Sequence, residues 1–256
     1  AAASGADVAM ISRGGYGLSR ILPAIHYKSV AKAIEKGTQF VGISDFTAFQ
    51  MALLAKTGQI TWAGPAVCEG FGTLPEPDDI MEDCFNDLLL GQGEGAGWRM
   101  PAVRGAAQQA AVAAQEWNIS NATLWGGNLA VLVSLIGTPY FPKIKGGVLF
   151  LEDVSEPPYR VERMLSQLMH AGVFANQNAV LMGQFTEYKL TPHDKGFTLK
   201  TVFAWLQSQI AAPVLTNLPY GHVQTKVLLP VGAKVDLVVQ GRDALMAWGH
   251  LNAHHD

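Results

Sequence analysis

A serine, a histidine and a carboxylate, each following a short apolar run, are the residues of this chain whose types and spacing could do chemistry. Ser44 stands in Phe40-Val41-Gly42-Ile43-Ser44-Asp45-Phe46, where the apolar run passes at once into a helical pattern, Phe46 to Ala55. A serine on a strand-to-helix turn is lifted clear of the sheet edge, and the N–H after it can face an oxyanion. That is the logic of a nucleophile elbow, although Phe46 stands where G-x-S-x-G has its second glycine. The same position also suits a plain helix N-cap, a role serine often fills.

A serine needs a base near neutral pH, and histidine is the usual one. Of seven histidines, His250, His254 and His255 lie in the terminal segment, where mobility is the default. His170 falls near a helix end and suits a dipole partner, and His26 and His193 fall in loops. His222 differs, because it follows the buried strand Pro213 to Leu218 and then Tyr220-Gly221. For the carboxylate that would orient its ring, Glu152, Asp153 and Glu156 compete after Leu149-Phe150-Leu151. Burying one of them unpaired would cost on the order of several kcal/mol. A helix N-terminus or Arg160 would serve as partner equally well, and the pattern does not choose. Ser12-Arg13-Gly14-Gly15-Tyr16-Gly17 is a second candidate stretch. Its glycines allow positive φ and bring backbone N–H groups close to a ligand, although a tight turn needs no more. No G-K-[ST] follows it, no H-E-x-x-H or C-x-x-C occurs, and the one close histidine pair is terminal. No metal and no cofactor is expected.

The elements that must position these residues alternate. The spacing predicts a strand at Val8–Ile11, helices at Leu18–Ile25 and Ser29–Lys36, the strand before Ser44, a helix from Phe46, and a strand at Ile60–Ala63. Such alternation predicts a mostly parallel sheet with helices on both faces, and ligands beyond the C-terminal strand ends. A helix at Asp78–Leu90 follows, then Gln92–Met100, which reads as a surface linker, and an Ala/Gln-rich stretch. The later half opens with Thr123-Leu124-Trp125-Gly126-Gly127-Asn128-Leu129 and predicts strands at Gly147–Asp153, Ala179–Gly183, Pro213–Leu218, Lys226–Leu229 and Ala233–Val239, with helices at Ala130–Ile136, Tyr159–Gly172 and Phe197–Gln209. The fold class is therefore α/β, with a second domain that is α/β or α+β. The composition shift places the domains at 1–95 and 121–256, with 96–120 as linker.

Composition bounds the function. The 256 residues are 49% apolar and 15% charged, a well-buried globular chain with room for a sizeable core. Net charge is −3 with pI near 6.2 and no basic run, which argues against nucleic acid or an anionic membrane surface as partner. Two cysteines without C-x-x-C spacing make no disulfide framework, and a reducing, cytoplasmic setting is expected. No apolar stretch reaches the about 18 residues of a membrane-spanning helix.

Several segments together resemble one family. Arg13-Gly14-Gly15-Tyr16-Gly17, Gly42-Ile43-Ser44-Asp45, Leu124-Trp125-Gly126-Gly127-Asn128-Leu129, Leu149-Phe150-Leu151-Glu152-Asp153 with Pro158-Tyr159-Arg160, and Tyr220-Gly221-His222 look, in this order, like LD-carboxypeptidases. The related microcin-immunity peptidases share the elbow and triad but usually lack the Arg-Gly-Gly-Tyr-Gly wording. The resemblance implies a serine peptidase with Ser44 as nucleophile, Glu152 as orienting carboxylate and His222 as base. The oxyanion donors would be the N–H of Asp45 and a glycine N–H at Gly14 or Gly15. It implies release of the terminal D-alanine that follows the L-centre of a diamino acid in murein tetrapeptides, during cytoplasmic wall recycling. Arg13, with Tyr16 beside it, is the nearest candidate for the substrate's terminal carboxylate. The rival readings are a microcin-type acyl-amide peptidase on the same scaffold and a catalytically silent peptidoglycan-fragment binding protein. Family chains carry a long run before the segment that opens here, with the first strands of the sheet. A sheet lacking them would expose an edge and an apolar face, which invites association such as a homodimer.

Overall fold

Two sheets carry the fold, and in both of them the parallel strands end toward the candidate residues. A computed structural model describes residues 2–102, 105–249 and 251, so that His250, His254 and His255 lie outside the described residues. The first sheet has the order β1 (Val8–Met10), β2 (Gln39–Gly42), β3 (Thr61–Ala63) and β9 (Leu229–Val231). Its first three strands are parallel, and β9 runs antiparallel to β3. The second sheet has seven strands, in the order β4 (Gly95–Arg99), β11 (Asp243–Ala247), β10 (Lys234–Gln240), β5 (Glu116–Asn128), β6 (Gly147–Val154), β7 (Gln177–Thr186) and β8 (Val214–Gly221). From β5 to β8 the strands are parallel, and from β4 through β11 and β10 to β5 they are antiparallel. The expected α/β architecture is thus present, with the parallel parts covered by helices.

The parallel strands β6 and β7 are apolar through their middles, 148–151 and 179–182, because both of their faces are covered there. Helices α7 (Pro158–His170) and α8 (Leu199–Gln209) pack against each other, and α6 (Leu129–Ser134) leads out of β5 and touches β6. Between the two sheets lies α3 (Phe46–Thr57), which touches α1 (Leu18–Ile21), α2 (Tyr27–Glu35), α6 and β5. Nine of its residues are buried, as a helix that is apolar all round requires. Gly58, with φ 71°, ends it in the left-handed conformation that glycine adopts without a Cβ penalty. The elbow helix is therefore a central strut, and whatever stands at its N-terminus is held firmly.

Several boundaries differ from the sequence expectation, each for a physical reason. The helix expected at Leu18–Ile25 stops at Ile21 and continues as a 3₁₀ turn over Leu22–Ala24, because Pro23 offers no N–H to the helix. The stretch read as a surface linker contains β4, whose alternating exposure and pairing with β11 make it a true edge strand. The Ala/Gln-rich stretch contains α5 (Ala106–Ala113), and β5 begins at Glu116, inside the expected linker. The strand expected at Lys226–Leu229 lies instead at Leu229–Val231 and joins the first sheet, with Pro230 opposite Trp62. Proline is tolerated there because β9 is an edge strand.

Candidate active site

The turn that carries Ser44 is strained. Ser44 follows β2 with φ 65°, a left-handed conformation that costs a non-glycine residue on the order of 1–3 kcal/mol. Two glycines make room for it. A Cβ on Gly42 would stand 2.6 Å from the Phe46 ring, and one on Gly14 would stand 2.7 Å from Ser44 Cβ and 2.8 Å from its Oγ. The glycine-rich loop after β1 therefore lies against the Ser44 side chain. Asp45 ties that loop down, because its Oδ2 accepts the Leu18 N–H at 2.8 Å. Among the described residues the Asp45 N–H itself has no acceptor.

The histidine stands at the other sheet. His222 directly follows β8, and its carbonyl accepts from Thr186 Oγ1 at the end of β7. Its Nδ1 lies 2.7 Å from Glu152 Oε2, and the Glu152 side chain has no exposed surface. A carboxylate in this place accepts only, so Nδ1 carries the proton and Nε2 is left free to accept one. Burial works to lower the ring's pKa. The hydrogen bond and charge of Glu152, with Glu69 adding, outweigh burial and Lys226, so it is raised above 6.5.

Three carboxylates competed in the sequence, and their surroundings differ. Asn128, at the end of β5, donates through Nδ2 to Glu152 Oε1 at 3.2 Å and to Asp153 Oδ1 at 3.1 Å. Its own Oδ1 caps α6 by accepting the Val131 N–H, and its N–H bonds Thr47 Oγ1 on α3. Gly127 allows that approach, since a Cβ there would stand 2.6 Å from Thr47 Oγ1. Asp153 turns away from His222 to accept the N–H groups of Ala130 and Val154. Burial is the main cause pushing it up to about 6, against the Val154 N–H bond and with the charge of Glu152 adding. Glu156 is bound by Arg160 one helical turn on, away from the histidine.

Ser44 and His222 line one cavity of about 720 Å³. Its wall is built from the loops after all the parallel strands but β5: Gly15 after β1, Ser44 after β2, Glu69 after β3, Ser155 after β6, Glu187 after β7 and His222 after β8. This is the carboxyl-end crevice that parallel sheets offer to ligands. Hollows of about 570 and 750 Å³ lie elsewhere, around Arg242 and along α8, and no described residue lining them is a histidine or cysteine. The lining of the 720 Å³ cavity includes neither Arg13 nor Tyr16. Arg13 is exposed, and Tyr16 is 83% exposed with the Arg20 guanidinium over its ring. Gly14 N–H donates to Glu69 Oε2 at 3.3 Å, whereas Gly15 lines the cavity.

Sequence reasoning missed three charged groups of this cavity, Glu69, Glu187 and Lys226. Glu69 lies in a single π-turn, Val67–Phe71, a geometry frequent at functional sites. Lys226 is only 2% exposed, and burial lowers its pKa against the opposing charges of Glu152, Glu69 and Asp78. Its position directly before Val227-Leu228-Leu229 was the available signal, a lone charge entering an apolar run. Among the described residues no group of three or more histidine, cysteine, aspartate or glutamate side chains could hold a metal ion. No described helix is long and apolar enough to cross a membrane.

Comparison with known proteins gives consistent matches. Residues 1–64 match the LD-carboxypeptidase N-terminal domain, and residues 121–237 match the LD-carboxypeptidase C-terminal domain. The crystal structure of muramoyltetrapeptide carboxypeptidase from Oxalobacter formigenes is similar with a TM-score of 0.83 and 36% identity, over 94% of this chain and 78% of that one. The probable murein peptide carboxypeptidase of Bacillus subtilis is 27% identical over 92% of this chain and 70% of its own length. The microcin C7 self-immunity protein of Escherichia coli is 26% identical over 88% of this chain and 69% of its own length.

Proposed function

The chain belongs to the LD-carboxypeptidase family of serine peptidases, and we propose that it releases the terminal D-alanine of murein tetrapeptides through Ser44, His222 and Glu152. The observation that carries this reading is the Glu152–His222 pair, 2.7 Å apart, in which Glu152 is buried and His222 lines the cavity that the strained Ser44 also lines.

In this reading Ser44 Oγ attacks the carbonyl carbon of the diamino acid, and its proton passes to His222 Nε2. The carbonyl oxygen becomes an oxyanion that accepts from the N–H of Asp45 and from the Gly14–Gly15 turn. Gly14 N–H is engaged by Glu69, so Gly15 is the donor of that turn left for the oxyanion. The carbon–nitrogen bond then breaks as Nε2 returns the proton to the amine of D-alanine. A water, deprotonated by the same nitrogen, hydrolyses the acyl-enzyme and restores Ser44. Glu152 keeps Nδ1 protonated throughout and stabilises the imidazolium formed in each half-reaction. Free tetrapeptide is a fragment of degraded wall, so we assign the activity to peptidoglycan recycling in the cytoplasm.

The test is incubation with murein tetrapeptide and with its all-L isomer, following alanine by mass spectrometry. Release from the tetrapeptide alone is the expected result. Equal release from both isomers, or none from the tetrapeptide, would overturn the reading.

A further inference from the structure

The proposed reaction explains Ser44, His222 and Glu152 but leaves a buried cation in the same cavity without a task. Lys226 is 2% exposed, lines the cavity, and makes no hydrogen bond or ion pair among the described residues. A lysine that is merely structural at such burial is normally paired. The loop that carries it is fixed at several points. Val223 N–H bonds the Gly221 carbonyl, Val227 N–H bonds the Pro219 carbonyl, and Thr225 Oγ1 bonds Asp78 at the start of α4 (Asp79–Leu90). The other charged groups lining the cavity, besides His222, are Glu69 and Glu187, both anionic in type, so Lys226 is its one cationic anchor among the described residues.

We propose that Lys226 binds the free α-carboxylate of the residue to be released, and so restricts cleavage to the C-terminal bond. This inference rests on the peptidase reading above. The geometry of a C-terminal residue supports it. The amine that leaves and the terminal carboxylate are separated by a single carbon, so the group that binds one must stand close to the group that protonates the other. His222 supplies the proton, and Lys226 stands four residues later on the same tethered loop. Glu152, Glu69 and Asp78 act on the ammonium only through space, so an amide or an extended chain at that position would leave it desolvated without a hydrogen-bonded partner, which is how a site built for one polar group rejects its analogue. Arg13, exposed and outside the lining, has no such position.

The experiment compares tetrapeptide ending in free D-alanine with the same peptide ending in D-alaninamide, for the parent, Lys226→Met and Lys226→Arg. Methionine keeps the apolar stem and volume without the charge, and Lys226→Gln takes its place if circular dichroism shows that it does not fold. The parent is expected to prefer the free acid strongly in kcat/KM. Lys226→Met should lose about 10- to 100-fold of that preference, the scale of one charge-assisted hydrogen bond, chiefly through KM for the free acid. Lys226→Arg should retain more of it. A folded neutral variant that keeps the parent's acid-to-amide ratio, with any loss equal for both peptides, would overturn the inference. A parent inactive on both peptides would instead refute the peptidase reading on which it rests.

Discussion

Neutralising Glu152 while keeping its shape separates charge from packing in the buried pair. In Glu152→Gln, Asn128 Nδ2 still presents a donor where it meets Oε1 at 3.2 Å, so the carboxamide oxygen belongs on that side. The carboxamide NH₂ then faces His222 Nδ1, which must accept, and the ring proton moves to Nε2. That is the nitrogen that has to take the Ser44 proton. A second loss is Coulombic. Opposite charges about 4 Å apart at an effective dielectric of about 20 attract by about 4 kcal/mol, which is about 10³-fold in rate. With the wrong tautomer added, kcat should fall by about 10³ to 10⁴, the upper figure being the cost of the same neutralisation in a Ser-His-Asp triad. The pH profile gives an independent readout. His222 must be neutral to act, so parent activity rises as pH passes upward through a pKa raised above 6.5. In Glu152→Gln the main raising partner is gone while burial and Lys226 remain, so the residual acid limb moves to lower pH. The control is Glu156→Gln. Its partner Arg160 has 51% of its side chain exposed, and such pairs contribute about 0–1 kcal/mol, so kcat should stay within about threefold. The assay is D-alanine release against pH for all three proteins. Glu152→Gln within tenfold of the parent, or Glu156→Gln as the crippled variant, would refute the assignment.

Three further perturbations follow from the same geometry. Ser44→Gly relieves a residue at φ 65° and should raise stability by about 1 kcal/mol in urea denaturation while abolishing turnover; unchanged or lower stability would contradict the strained elbow. Gly14→Ala puts a Cβ 2.8 Å from Ser44 Oγ and should lower kcat about 10²-fold or more in a folded protein, whereas near-parent kcat would show that this contact does not set the nucleophile. Asp153, pushed up to about 6 in the folded chain, binds its proton more tightly folded than unfolded. Its contribution to stability therefore grows as pH falls through about 6 toward its ordinary 3.8, by at most about 3 kcal/mol. Urea denaturation of the parent and Asp153→Asn at pH 7 and pH 4 checks this, and an advantage of the parent that shrinks on acidification would be the wrong sign.

Legibility in the sequence followed how local the determining interaction was. Ser44, Glu152 and His222 were legible as residues at the ends of apolar strands, because chain direction and punctuation place such residues at the carboxyl edge of a parallel sheet. Composition could not separate Glu152 from Asp153 and Glu156, although adjacent carboxylates on β6 alternate faces and Glu156 has Arg160 four residues on. Asn128 was visible as part of a motif, but its bridge between two carboxylates depends on the parallel register of β5 with β6. Strands β4 and β11 escaped because Gly95 and Gly97 read as linker and the partner strand is far along the chain. Glu69 was invisible as a site residue for the same reason, since it reaches the cavity through tertiary packing of its loop, and Lys226 showed only as a lone charge entering an apolar run.

The central claim, that Ser44 forms the bond to the acyl group, is tested most directly by trapping the acyl-enzyme. Tetrapeptide is mixed with excess enzyme, quenched in acid within a turnover, and the digested protein is mapped by mass spectrometry. The account predicts that the peptide containing Ser44 gains the mass of the acyl part left after loss of D-alanine, and that Ser44→Ala neither gains it nor releases D-alanine. Release of D-alanine by folded Ser44→Ala at near-parent rate, with no adduct at Ser44 in the parent, would contradict it.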